Sequence, residues 1–336
     1  MRVIFRQLGV TNTKGLVLAA VGGVVLVAAP VALGVYTAVS PAAVDRARVS
    51  LEPEPVGERT VSALPISNVT VATLSELFER NRYELDAIAA GERAVPPIFV
   101  RTMPSDWTSL DGGETRKTLF EKIVLPLILK ANAEIHADRQ RLLRLIEKSD
   151  EPDGHDLAAA EQQWLTGLAQ TYKLDTPDLG ALKQRVDTVP APLALAQAAN
   201  ESGWGTSRFA RQGNALFGQW TWDASQAMAP KSLQKGKGDY GVRKFPTLGA
   251  SVAGYMRNLN THSAYAPFRR MRAEQRKAGR DTLDARRLVG GLKAYSQRGQ
   301  AYINEIRGMI DHNAYPKLAG VRLAEQPPSV LAAGGF

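Results

Sequence analysis

The chain of 336 residues contains no cysteine and only four histidines. The absence of cysteine excludes disulfides, thiolate metal sites and cysteine nucleophiles. The histidines, His136, His155, His262 and His312, have neither the i, i+4 helical spacing nor the acidic neighbours that a zinc site needs. The sequence also lacks a phosphate-binding loop and a G-x-S-x-G nucleophile elbow. We therefore expect neither a metal nor another cofactor.

Residues 15–39 contain no charged side chain, and a helix of this length exceeds the ~20 residues that span a bilayer. Three basic residues and no acidic one precede this run, so the positive-inside rule places residues 1–14 in the cytoplasm. The pattern predicts a single-pass anchor in the inner membrane, with the rest of the chain in the periplasm. The small residues Ala42 and Ala43 leave a cleaved signal peptide open as the alternative.

The basic charge is concentrated in the last third of the chain. Residues 200–320 hold 20 Lys and Arg against 8 Asp and Glu, in a chain whose net charge is +9. This excess favours a polyanionic partner, which for an exported domain means wall carboxylates, teichoic acid or lipid head groups. No nucleic acid is expected, because no helix-turn-helix or zinc-finger motif accompanies the charge. We interpret the arginine clusters at 269–272 and 286–287 as solvated helix surfaces, with binding to the cell wall as the alternative.

The apolar spacing predicts a mainly α fold: a helical domain with a small β-hairpin lobe, preceded by the transmembrane helix. Residues 40–68 contain four prolines among alternating charges, which predicts a linker. The predicted regions after it are an N-terminal helical region at 69–189, a catalytic region at 190–318 and a flexible tail at 319–336. The predicted helices are 73–91 with a capping box at Thr73 and Glu76, 114–148 with a kink or break at Pro126, 156–172, 178–187, 191–202, 248–261, 283–294 and 299–312, and the hairpin strands are 214–222 and 240–245.

Glu201 is the side chain that the sequence singles out for chemistry. It occupies the last turn of an Ala-rich, nearly uncharged helix that Gly203 ends. A helix C-terminus carries partial negative charge and an apolar surrounding lowers the dielectric, so both raise the pKa of a carboxyl group. A carboxyl that keeps its proton near neutral pH suits cleavage of a glycosidic bond, whose leaving oxygen must receive a proton. The alternative is a solvated glutamate without a role.

Five aromatic residues follow Glu201 within a short stretch, and flat rings are platforms for the apolar faces of sugars. Core packing is the alternative for each ring, and it is favoured for Phe209 and Phe217. Trp220 and Trp222 alternate along a predicted strand, so they point to opposite faces and are not easily buried together. The predicted substrate-binding residues are Trp204, Phe217, Gln219, Trp220, Trp222 and Tyr302.

The segment AQAANESGWGTSRFARQGNALFGQW, together with flanking sequence over most of residues 70–315, resembles the glucosaminidase (mannosyl-glycoprotein endo-β-N-acetylglucosaminidase-like) domain of glycoside hydrolase family 73, and within it the bacterial Bax-type proteins. The resemblance implies a lysozyme-like, mainly helical fold and cleavage of N-acetylglucosaminyl β-1,4 linkages. It also implies that Glu201 is the general acid and that Tyr295, which matches a family tyrosine, orients the acetamido group or stabilises charge. A packed tyrosine with its hydroxyl bonded is the alternative for Tyr295, and Tyr302 lies seven residues later.

The resemblance is incomplete at the second catalytic group. The family commonly places a carboxylate in the β-hairpin, where this chain has only Asp239, with Asp223 just before it. Asp239 is therefore the candidate base or charge stabiliser, and assistance by the substrate's own 2-acetamido group stays open.

These features predict a peptidoglycan hydrolase acting on glycan strands, with catalytic Glu201, Asp239 and Tyr295. A lytic transglycosylase and a catalytically silent wall-binding or division-associated protein are the rival interpretations.

Overall fold

The computed structural model describes residues 64–111, 113–150, 156–229 and 241–325. Within these ranges the chain is mainly helical, as predicted, and no helix is long and apolar enough to cross a bilayer. The predicted anchor at 15–39 and the candidate base Asp239 lie outside the described residues. The elements are β1 Leu64–Ile66, α1 Val71–Arg80, α2 Leu85–Ala89, β2 Ile98–Val100, α3 Glu114–Ser149, α4 Ala159–Thr171, α5 Leu179–Arg185, α6 Ala191–Ser202, α7 Arg208–Gly213, β3 Trp220–Thr221, β4 Ala227–Met228, β5 Gly241–Arg243, α8 Leu248–Thr261, α9 Ala266–Lys277, α10 Ala285–Leu288 and α11 Gln300–His312, with a 3-10 segment at Val289–Tyr295.

The N-cap of the first helix lies three residues earlier than predicted. Thr70 has extended backbone angles, and its hydroxyl accepts a hydrogen bond from the backbone N–H of Thr73 at 3.2 Å. Thr70 is therefore the N-cap, and the capping box predicted at Thr73 is wrong. Helix α1 then ends at Arg80, and the short α2 follows it, where one continuous helix was predicted.

Helix α3 connects two separate hydrophobic cores. It runs through Pro126 as one helix of 36 residues, about 54 Å long at 1.5 Å per residue, so the predicted break does not occur. Its first half packs in the main core, against α6 and α8. Leu142 and Leu145, on its second half, join a smaller core with side chains of α4 and α5. The smaller core is thus attached to the main one through α3.

Helix α6 lies at the centre of the main core and delivers Glu201. Every side chain from Ala191 to Ala199 is buried, and the helix packs against α3 and α11. Its alanines leave room for close approach of neighbouring helices, which fits the Ala-rich sequence. Gly203 ends the helix with φ of 57°, a left-handed conformation that glycine adopts readily.

The β lobe is a three-stranded antiparallel sheet in the order β3-β5-β4, where the sequence predicted a two-stranded hairpin. Only Trp220 and Thr221 of the predicted strand 214–222 are in β3. Asn214 and Gly218 have φ of 51° and 59°, which an extended strand does not allow, so residues 214–219 form a loop. The hydroxyl of Ser251 on α8 accepts a hydrogen bond from Leu216 N–H and holds that loop on the core.

The ordered chain extends into the predicted tail. Val95 N–H donates to the carbonyl of Arg322, and Ala324 N–H donates to the carbonyl of Val95, both at 2.8 Å. Strands β1 and β2 pair in parallel near the start of the described chain. Both ends of the described chain are thus bound to its body by backbone pairing.

Arg269 and Arg272 on α9 correct the interpretation of their cluster as a solvated surface, because both are buried. Arg269 donates to the carbonyls of Leu259 and His262 at 2.9 and 2.8 Å. Arg272 donates to the Asn260 amide oxygen at 2.8 Å and to carbonyls that follow α5. The two guanidinium groups therefore fasten α9 to its neighbours through hydrogen bonds to carbonyl and amide oxygens.

Asp187 is the acidic centre of this cluster and is 2% exposed. Its carboxylate lies 2.9 Å from Arg276, 3.6 Å from Arg139 and 3.8 Å from Arg272. Burial acts to raise the pKa of Asp187, but the arginines, Arg272 foremost, outweigh it and lower the pKa below its ordinary value. One carboxylate therefore joins α3 and α9 to the segment that precedes α6.

We expect Asp187→Asn to lower the free energy of unfolding by about 3–5 kcal/mol, because it leaves buried arginines without their counter-charge. The exposed pair Arg286–Asp311 provides the control, and Asp311→Asn should cost less than about 1 kcal/mol. Urea unfolding at pH 7 measures both. Because the pKa of Asp187 is lowered, its contribution is complete above the ordinary aspartate pKa and is lost as the pH falls through the folded-state value. Equal losses in the two variants would contradict this account.

Candidate active site

The Glu201 carboxyl group occupies a largely buried position at the C-terminal end of α6. Asn200 Nδ2 donates to its Oε1 at 3.4 Å, and Tyr302 on α11 hydrogen-bonds to it as well. Across the site lies Gly218, where an added Cβ would come 3.8 Å from Glu201 Oε2. The missing side chain at Gly218 leaves space beside the carboxyl group. That space is where a substrate oxygen could approach.

Burial raises the pKa of the Glu201 carboxyl above its ordinary value, and the nearby carboxylate of Glu305 adds to the rise. The hydrogen bonds from Tyr302 and Asn200 and the positive charge of Arg298 act in the opposite direction, but they are outweighed. The raised pKa inferred from the sequence is confirmed, with burial as the main cause. The alternative of a freely solvated side chain does not fit this position.

Tyr302 is a buried neighbour of the Glu201 carboxyl group, and the prediction that it binds substrate is wrong. Its side chain is 2% exposed, so its ring offers no open face to a sugar. Its hydroxyl accepts a hydrogen bond from Gln197 Nε2 at 2.7 Å and contacts the Glu201 carboxyl group. Tyr302 therefore acts on the carboxyl group of Glu201.

Phe217 is likewise buried, which confirms the core packing favoured for it and corrects its place among the predicted substrate-binding residues. Its ring stacks on Tyr255 of α8, with centroids 3.9 Å apart and planes within 7°. Its carbonyl accepts a hydrogen bond from the hydroxyl of Tyr295 at 3.1 Å. Phe217 thus anchors the loop that carries Gly218 past the carboxyl group.

Tyr295 lies beside this cluster and is only partly buried. Its ring is parallel to that of Tyr302, with centroids 5.5 Å apart, and tilted against that of Tyr265 at 5.8 Å. Because its hydroxyl proton is donated to Phe217, Tyr295 can offer a substrate its ring or a lone pair. The structure therefore brings Tyr295 to the site, next to Tyr302.

The three tryptophans that follow Glu201 differ in exposure. Trp204 is partly buried and meets Phe120 edge to face, with Lys117 Nζ 5.7 Å from the centre of its ring. Trp220 is partly buried against the small core of the β lobe. Trp222 follows β3 and is 76% exposed, which makes it the large apolar side chain most available for contact in the described chain.

Gln219 was predicted to contact the substrate, but its side-chain oxygen is directed into the protein. Its Oε1 is buried and makes no hydrogen bond within the described ranges. A Cβ added at Gly254 on α8 would come 3.2 Å from this oxygen, beside the ring of Phe245. The carbonyl end of Gln219 thus points into the protein.

A second carboxylate was expected at the β-hairpin, and of the two acids there, Asp223 and Asp239, only Asp223 is among the described residues. Asp223 is exposed and bonds to Ser225 and Gln226 of its own turn. Glu305 is paired with Arg298 at 2.7 Å. Among the described residues, no group of three or more His, Asp or Glu side chains could hold a metal ion.

Sequence reasoning missed Gln197 and Tyr255, which stand behind Tyr302. Gln197 lies four residues before Glu201, so both fall on one face of α6, and that spacing was an available signal. Tyr255 comes from α8, and no local pattern links it to the acid. The hydrogen bonds of these residues appear only once the three helices are packed.

Two comparisons relate the chain to known proteins. The family model described as mannosyl-glycoprotein endo-beta-N-acetylglucosaminidase matches residues 178–315. A protein of Escherichia coli (strain K12) named Protein bax is 35% identical over 214 residues, which cover 62% of this chain and 73% of that protein. No solved structure matches the chain significantly. Glu201 and the tyrosines around it fall within the matched segment.

We expect Glu201→Gln to stabilise the fold at neutral and alkaline pH, because it removes a carboxyl group whose ionisation burial opposes. A raised folded-state pKa gives stability that is complete below the unfolded pKa and is lost as the pH rises through the folded-state value. The Tm of the variant should therefore exceed that of the wild type by a margin that grows with pH. The exposed Glu147 is the control, and Glu147→Gln should show no such trend. A Glu201→Gln chain that melts lower at every pH would contradict the burial argument.

Proposed function

Because the chain belongs to the glucosaminidase family, we propose that it is a peptidoglycan hydrolase of the endo-β-N-acetylglucosaminidase type. Its substrate would be the glycan strand, cut at β-1,4 bonds, with Glu201 as the general acid. One observation carries the proposal: a largely buried carboxyl group of raised pKa faces a gap that Gly218 leaves open. A proton held at that position suits transfer to a glycosidic oxygen.

In the proposed reaction, Glu201 gives its proton to the leaving oxygen while the bond from that oxygen to the anomeric carbon breaks. Water then supplies hydroxide to the anomeric carbon, and its remaining proton returns to the Glu201 carboxylate. The negative charge of Glu305 favours the protonated form of Glu201 before the reaction. Positive charge developing on the sugar would be stabilised by the acetamido group of the substrate or by Asp239.

The aromatic side chains would hold the strand. Trp222 is exposed and Trp204 and Tyr295 are partly buried, so these three can each offer ring surface to a sugar. The basic excess of residues 200–320 would attract an acidic wall polymer. We also propose that residues 15–39 anchor the chain in the inner membrane and that the domain acts in the periplasm.

Two rivals predict different products. A lytic transglycosylase would use the same acid but form an anhydro sugar in place of adding water. A silent wall-binding protein would bind sacculi and release nothing. The raised pKa of Glu201 favours an enzyme over the silent protein, because burying a carboxyl group without using it costs stability.

Replacing the acid tests the role of Glu201. We expect Glu201→Gln to lower release of reducing sugar from purified peptidoglycan by at least about a hundredfold, since general acid catalysis typically contributes that much or more. The full chain is assayed, with Glu147→Gln as a matched exposed control that should retain wild-type activity. Comparable activity in the wild type and Glu201→Gln would exclude Glu201 as the acid.

Trp222 should act in binding. Trp222→Ala should raise KM about 5–10-fold with little change in kcat, because a ring that holds the strand equally in the ground state and the transition state affects binding alone. Trp222→Tyr keeps a flat ring and should recover most of the affinity. Because the side chain is 76% exposed, neither variant should lower the Tm. An unchanged KM in Trp222→Ala would remove this residue from the proposed groove.

A further inference from the structure

Three side chains behind Glu201 form a chain of hydrogen bonds with one direction. The Tyr255 hydroxyl donates to Gln197 Oε1 at 2.6 Å. Gln197 Nε2 donates to the Tyr302 hydroxyl oxygen at 2.7 Å. The Tyr302 hydroxyl in turn interacts with the Glu201 carboxyl group and lowers its pKa. The relay, as we call Tyr255, Gln197 and Tyr302, thus ends on the proposed acid.

The relay is inside the protein and comes from three helices. Gln197 and Tyr255 are fully buried and Tyr302 is 2% exposed, on α6, α8 and α11 respectively. A buried amide is costly unless its polar atoms are bonded, and both ends of Gln197 are. Hydrophobic side chains of the same size would fill this space without that demand. The polar residues here therefore call for a role beyond filling the core.

We propose that Gln197 and Tyr255 are positioning residues that act through Tyr302 to hold the Glu201 carboxyl group in its proton-donating orientation. This inference rests on the proposed function and adds to it residues that would not touch the substrate.

The direction of the hydrogen bonds gives the physical reason. A tyrosine hydroxyl has a single proton, and because its oxygen already accepts from Gln197, that proton is left to be donated to Glu201. The carboxyl oxygen that accepts it is the poorer place for the acid's own proton. In the proposed arrangement the proton is held on the other oxygen. The relay makes the two oxygens of Glu201 unequal.

The charged and titratable groups around Glu201 do not account for the orientation of its carboxyl group, which we therefore assign to hydrogen bonding. Burial raises the pKa of Tyr265 to about 12 and those of Tyr255, Tyr295 and Tyr302 well above the ordinary value, so all four are neutral at physiological pH. The remaining groups that act on Glu201 are Glu305, on α11, and Arg298, just before it, and they are paired with each other. The relay is thus uncharged, and it acts on Glu201 through which groups donate and which accept its hydrogen bonds.

The test replaces Gln197 by a side chain of similar shape that cannot hydrogen-bond. In the full chain, Gln197→Met should lower kcat on peptidoglycan about 10- to 100-fold and leave KM within about twofold, because it disturbs orientation at the reacting atoms and not binding. Tyr302 becomes a weaker donor without Gln197, and its hydrogen bond lowers the pKa of Glu201. The alkaline limb of the pH–kcat profile should therefore move to higher pH.

Gln275 offers a matched control. It is 3% exposed and makes two hydrogen bonds with the backbone of Asp284, at 2.7 and 3.3 Å. Gln275→Met removes the same kind of buried amide outside the relay. It should lower the Tm while leaving the alkaline limb in place. If both glutamine variants shift the limb equally, Gln197 is merely structural.

A second measurement does not depend on activity. In the full chain with ¹³C-labelled glutamate, the Glu201 carboxyl resonance is assigned by its loss in Glu201→Gln, and its titration midpoint should rise in Gln197→Met and in Tyr302→Phe. Tyr255→Phe keeps the stacked ring and should shift the midpoint less. Unchanged midpoints would overturn the relay even if Glu201→Gln is inactive. An inactive wild type with shifted midpoints would instead overturn the proposed function.

Discussion

Burial of one carboxyl group at the end of an apolar helix is the constraint on which the site depends. Helix α6 can lie in the middle of the core because its side chains from Ala191 to Ala199 are buried and all but Gln197 are small or apolar. The same enclosure takes Glu201 largely out of water and raises its pKa. The packing that stabilises the domain is thus also what would give the acid its proton, so stability and chemistry are coupled in this helix.

The surroundings of α6 hold that position from several directions. Asp187 and its arginines join α3 and α9 to the segment that enters α6, while Tyr255 and Tyr302 reach Gln197 from α8 and α11. The left-handed residue Gly218 carries its loop past the carboxyl group without a side chain. These contacts come from several elements of the fold. They can therefore fix the Glu201 side chain, although Asn200 is the only one of its contacts that is also its neighbour in the sequence.

Features set by neighbouring residues could be predicted from the sequence, and features set by tertiary packing could not. Helix α6, its end at Gly203 and the raised pKa of Glu201 follow from composition and position, and the structure has them. The burial of Tyr302 could not be predicted, because an aromatic ring suits both a core and a sugar platform. The burial of the α9 arginines was missed because Asp187, the partner of Arg272, lies far away in the sequence, and because the backbone carbonyls that bind Arg269 leave no sequence pattern.

The central claim is that water is added to a glycan strand with the Glu201 carboxyl group as proton donor. Digestion of peptidoglycan in H₂¹⁸O, followed by mass spectrometry, tests it most directly. The account predicts N-acetylglucosamine reducing ends that carry one ¹⁸O atom with the wild type and no such ends with Glu201→Gln. Unlabelled anhydro ends, or labelled ends formed equally well without Glu201, would contradict it.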